Sequence, residues 1–87
     1  MLSGTEAQEY SALVDSLFSE LKTDISPTHR VDIFNQLAFE LRSFKGKKNK
    51  LYADSAYVLA EEIGYKGGLA RAINIQSMRQ VLQNLIL

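Results

Sequence analysis

The 87-residue chain contains no cysteine, no tryptophan, one proline and one histidine. Without cysteine, neither disulfides nor thiolate-bound zinc can stabilise the fold, and a reducing compartment is favoured. No apolar run approaches the ~20 residues that a membrane-spanning helix needs, and the first ten residues lack the basic flank and apolar core of a signal peptide. The sequence therefore predicts a cytoplasmic protein.

Candidates for catalytic or metal chemistry are scarce. His29 is the only histidine, and no serine has the partners of a triad, so hydrolytic and thiol catalysis are unsupported. The carboxylates lack the spacing of zinc or calcium ligands. We therefore expect no enzyme, no metal and no cofactor, and we expect His29 to be an exposed residue in the first turn of a helix.

The zero net charge hides two oppositely charged halves. Residues 1–44 hold seven acids and three bases, which gives −4, and residues 45–87 hold seven bases and three acids, which gives +4. A single folded unit with this division presents an acidic face and a basic face. The basic face would attract an anionic partner or a membrane surface.

Apolar residues recur at spacings of three and four along most of the chain, with no alternation typical of strands. Since 87 residues support only one core, the prediction is one all-α domain over residues 1–87, an antiparallel up-down four-helix bundle. Capping and opening residues mark four helix starts. They are Thr5 with Gln8 for a helix from near Glu6, Ser26 with Pro27 for a helix to about Phe44, Asn49 for the third, and Asn74 for the fourth.

The last third of the chain contains a glycine-rich segment followed by an apolar one. The glycines between Gly64 and Gly68 favour a turn or kink, because each costs about 1 kcal/mol inside a helix relative to alanine. Beyond them, the last helix is expected to point six apolar residues inward, against the first two helices, with the alternative that residues 84–87 press into lipid as an amphipathic helix end. The six residues are Ile75, Met78, Val81, Leu82, Leu85 and Ile86. Replacing Leu82 with Asp should then unfold the domain, because an unpaired charge would enter the core.

The basic half offers candidate binding residues and also competing interpretations. Four lysines within six residues, Lys45, Lys47, Lys48 and Lys50, can contact phosphates or acidic lipid headgroups, or they can form a solvated loop. The segment 59–65 has the apolar and glycine offsets of a DNA-binding helix-turn-helix. In that alternative, Arg71 with Asn74 and Gln76 would face the bases. A generic helical adaptor is the third hypothesis.

The order of segments resembles the enterocin A immunity family, whose members protect lactic acid bacteria from class IIa (pediocin-like) bacteriocins. The likeness covers roughly residues 8–86. It rests on four stretches: Tyr10 to Leu21 as an amphipathic first helix, Ile33 to Leu41 before a lysine-rich connection, Tyr57-Val58-Leu59 before a break, and Ile75 to Leu85 at the end.

This resemblance implies a cytoplasmic, non-enzymatic four-helix protein that acts in part at the inner face of the membrane. It implies recognition of the bacteriocin once that peptide has engaged the membrane part of the mannose phosphotransferase permease. The partner would be this receptor assembly, with no nucleic acid. Independently of the resemblance, the basic half fits a peripheral membrane contact, and we expect a monomer. Because discrimination in the family is associated with the C-terminal half, the resemblance places the partner surface around Lys66, Arg71 and Arg79, with the lysine cluster nearby.

Overall fold

Four helices make up the computed structural model, which describes residues 11–42 and 47–86. They are α1 (Ala12–Leu21), α2 (Pro27–Glu40), α3 (Lys48–Ile63) and α4 (Lys66–Ile86). The described residues contain no strand. The described part of the chain is an all-α, antiparallel four-helix bundle, as the sequence predicts.

The start of α2 follows from its local sequence. Ser26 is extended, and its hydroxyl accepts a hydrogen bond from the backbone N–H of His29 at 3.1 Å. Pro27 occupies the first helical position, where its missing N–H has no cost. His29 is exposed in this first turn, with its Nε2 3.1 Å from Glu20 Oε1. Both predictions, the cap and the exposed histidine, are confirmed.

The predicted helix start near Glu6, with Thr5 and Gln8 as its capping residues, lies outside the described residues. Ser11 is extended, and its hydroxyl accepts a hydrogen bond from the N–H of Val14. The described helix therefore begins at Ala12. The end of α2 differs from the prediction, since the helix stops at Glu40 and residues 41–42 form a turn, rather than continuing to Phe44.

The core is centred on α2, which packs against all three other helices. Its fully buried apolar side chains contact α1 on one side and the small residues of α3 and α4 on the other. They are Val31, Ile33, Leu37 and Ala38, with Leu41 just beyond the helix. The central position of α2 and its wide apolar face are therefore confirmed.

Asn49 does not cap α3. It lies inside the first turn, where its side chain is buried and its Nδ2 donates a 2.6 Å hydrogen bond to the carbonyl of Ala38. The residue before the helix is Lys47, whose side chain makes no capping bond. Asn49 therefore links the beginning of α3 to the end of α2.

The turn predicted around residues 64–68 is confirmed and lies at Gly64. Gly64 ends α3 in the left-handed conformation, with φ of 72°, which favours glycine because a Cβ is strained there. Gly67 and Gly68 lie inside α4. Asn74 is also inside that helix, so its predicted capping role is wrong. Beyond Gly64 the chain forms one helix of 21 residues.

The apolar face of α4 is buried only in its first half. Ala72 and Ile75 are core residues, but Leu82 is 47% exposed and Leu85 is 77% exposed. Met78 and Val81 are exposed as well. Within the described residues α1 packs on α2 and does not reach α4. The predicted inward packing is therefore confirmed at Ile75 and wrong at Met78, Val81, Leu82 and Leu85, while the side chain of Ile86 lies outside the described residues.

Candidate partner-binding surface

The cationic residues that the sequence singles out lie at two ends of the α3–α4 pair. Lys47, Lys48 and Lys50 stand at the start of α3, whereas Lys66 and Arg71 lie in the first two turns of α4. Because α3 has 16 residues, its ends are about 24 Å apart at 1.5 Å per residue. The structure thus divides these cations between the two ends, and Lys45 lies outside the described residues.

Several of these cations contact groups within the chain. Lys50 Nζ is 2.7 Å from Asp54 Oδ2, and this hydrogen bond is the main reason that the pKa of Asp54 is lowered. Arg71 Nη2 donates to Gln36 Oε1 at 2.8 Å. Lys47 and Lys66 are exposed. The cations at the start of α3 are therefore partly held in place, with their charge at the molecular surface.

Arg79 is half-buried between α3 and α4. It contributes to a small cavity of about 20 Å³, together with Asn49, Ile75 and Leu82 among others. Its positive charge also favours the ionised form of Asp54 and so lowers the pKa of that carboxyl. The buried Nε makes no hydrogen bond to the described part of the chain. Arg79 therefore acts mainly inside the helix interface.

An open groove lies beside the second half of α4. Its volume is about 630 Å³. It is lined by Arg42, Asn74, Ser77, Met78, Val81 and Leu82, which we call the α4 groove. Arg42 is exposed at its rim, with its guanidinium 3.9 Å above the Phe39 ring and its Nη1 donating to the Phe39 carbonyl at 2.7 Å. The groove thus combines an apolar floor with one oriented cation.

The α4 groove was missed in the sequence because its residues have the spacing of a core helix. The sequence did contain one sign of a contact surface, since Arg79 is the only charged residue between Ala72 and Leu85. Helix faces in permanent contact with water usually carry more charge, whereas protein interfaces are depleted of acids and lysine and enriched in methionine and arginine. The composition of this segment is typical of a contact surface.

These observations define a small all-α protein with an open, apolar and sparsely charged contact groove. The described residues hold no group of three or more histidines and carboxylates able to bind a metal ion. In the same part of the chain, none of the helices has the combination of length and hydropathy required to cross a membrane. No protein-family model, curated protein or solved structure matches the chain significantly.

Proposed function

We propose that this chain is a non-enzymatic bacteriocin immunity protein. It protects the cell by recognising a bacteriocin bound to its membrane receptor, the mannose phosphotransferase permease, at the cytoplasmic face of the membrane. The order of helical segments, which resembles the enterocin A immunity family, suggests this function. The observation that carries the proposal is the α4 groove, because it gives the C-terminal half an apolar surface for a protein partner.

The chemistry of the α4 groove suits a helical partner segment. Met78, Val81 and Leu82 offer apolar side chains to an amphipathic helix, which binds by burying its own apolar face. Arg42 at the rim can pair with a carboxylate or with the C-terminal carbonyls of that helix. Methionine adapts its shape to irregular partners. Recognition of this kind needs no cofactor and no covalent step.

Survival of a bacteriocin-sensitive strain tests the proposal. The strain expresses this chain or an empty vector and is challenged with a panel of pediocin-like peptides. We expect selective survival against one or a few peptides. The Val81→Gln variant should lose protection, and Val58→Gln should keep it, because both valines are 55% exposed but Val58 lies on α3, outside the α4 groove.

Two results would contradict the proposal. One is sensitivity to every peptide despite soluble expression of the chain, and the other is equal protection by Val81→Gln and the original chain. In the first case, duplex DNA binding by the purified protein would test the helix-turn-helix alternative. That alternative expects affinity that falls with salt and with the loss of Arg71.

A further inference from the structure

The last residues of α4 extend beyond the start of α3. Gln76 Nε2 donates to Asp54 Oδ1 at 2.9 Å, which places residue 76 beside residue 54 in this antiparallel pair. Six residues further along α4, Leu82 is therefore level with Lys48, the first residue of α3. Leu85 lies past that level and is 77% exposed. An apolar side chain thus projects from this end of the molecule.

Several cations lie at the same end of the bundle as this projecting leucine. The end of α2 contributes Arg42, and the first residues of α3 contribute Lys47, Lys48 and Lys50. We call these four residues and Leu85 the basic tip. Arg79 adds a fifth cation nearby, and the described carboxylates at this end are Asp15 in the first turn of α1, Glu40 and Asp54. Five cations against these three carboxylates leave a positive charge on the described part of this end.

We infer that the basic tip binds an anionic lipid surface. A leucine at a helix end enters the boundary between headgroups and acyl chains, and lysines on flexible stems reach lipid phosphates from the same side. The leucine and the lysines are effective only together, because one leucine alone anchors a protein weakly and a few lysines alone bind only to a charged surface. The tip brings both parts together at one end of the bundle.

Charge complementarity favours a lipid surface over a second copy of the chain. Two copies that paired through their basic tips in a symmetric dimer would place like charges close together, which costs free energy. An anionic bilayer instead matches the cations and accepts the leucine. This inference does not depend on the immunity function, because purified protein and vesicles are sufficient to test it.

Vesicle co-sedimentation with the purified full chain tests the inference. One set of vesicles is phosphatidylcholine alone, and the other contains about 30% phosphatidylglycerol, an anionic lipid. We expect binding to the anionic vesicles only. Because the contact depends partly on screened charges, binding should fall at least about fivefold when salt is raised from ~0.05 to ~0.5 M.

Two pairs of variants test whether the basic tip is responsible. Lys47→Glu and Leu85→Gln should each weaken binding by about fivefold or more. Lys66→Glu makes the same charge change at the opposite end, and Val58→Gln makes a similar polar change on α3, so both should stay within about twofold of the original chain. Helical circular dichroism verifies that each variant is folded.

Three outcomes would overturn the inference. The first is no binding to anionic vesicles at low salt, and the second is equal loss in the tip variants and their controls. The third is self-association that requires Leu85 without vesicle binding, which would identify a second copy as the partner of this surface. If the original chain does not bind anionic vesicles but still protects cells, the lipid inference is refuted and the proposed immunity function is not.

Discussion

Gly68 allows α4 to approach α2 closely, so that adding one methyl group there should destabilise the protein. A Cβ at this position would lie 2.6 Å from Val31 Cγ1 and 2.7 Å from Tyr65 Cδ2. Val31 is fully buried, and the Tyr65 hydroxyl donates a 2.8 Å hydrogen bond to Asp32 Oδ1, so moving either side chain away has a cost. The Gly68 carbonyl also accepts a 3.0 Å hydrogen bond from Asn35 Nδ2, which joins the same two helices.

Gly67 provides a matched control in the same turn of the helix. A Cβ there would be 3.5 Å from Tyr65 Cε1, an ordinary van der Waals distance. Gly67→Ala should therefore stabilise the protein by up to about 1 kcal/mol, the gain in helix propensity. Gly68→Ala has the same gain but adds overpacking of about 1–3 kcal/mol, for a net loss of up to about 2 kcal/mol.

Urea unfolding followed by circular dichroism measures both variants. The difference between them cancels the helix propensity and isolates the steric cost, so Gly68→Ala should be less stable than Gly67→Ala by about 1–3 kcal/mol. In a domain of this size that corresponds to a difference in Tm of at least about 4 °C. Equal stabilities, or a more stable Gly68→Ala protein, would refute the close approach of the two helices.

Three further predictions concern other parts of the fold. Leu82→Asp should keep its helical signal and cooperative thermal transition because the side chain is 47% exposed, whereas Leu37→Asp should unfold because Leu37 is fully buried. Asn49→Ala should lower the free energy of unfolding in urea by about 1–3 kcal/mol, since a buried carbonyl loses its donor. The folded-state pKa of Asp54 lies below its unfolded value, so its stabilisation is present above about pH 4 and is lost as pH falls through the folded pKa. Asp54→Asn should therefore flatten the acid limb of a stability–pH profile, and an unchanged limb would contradict this.

The parts of the fold that the sequence predicts are those set by local chemistry. Ser26 with Pro27 opens a helix wherever it occurs in a suitable context, and Gly64 ends one because it adopts a left-handed conformation at low cost. The wide apolar face of α2 is continuous over several turns, so its burial in the centre follows from its period alone.

The parts that it does not predict depend on residues distant in the chain. An asparagine near a helix start suggests a cap, but Asn49 is drawn inward because the Ala38 carbonyl, eleven residues earlier, lies within reach of its amide. Glycines inside a segment suggest a break, but Gly68 serves as a contact point for Val31. Local propensity cannot reveal either partner, since each appears only when helices pack.

The exposed apolar face of α4 shows what helical spacing in a sequence cannot predict. An apolar face with helical spacing shows that the face avoids water, and it does not show which neighbour covers it. Here α4 has 21 residues and α3 has 16, and α1 packs on α2, so among the described helices the last turns of α4 have no neighbour for their outer side. The single charge between Ala72 and Leu85, that of Arg79, is half-buried and close enough to Asp54 to lower the pKa of that carboxyl. An exposed face with so little charge is unfavourable in an isolated domain, and burial against a partner or a lipid surface would remove that cost.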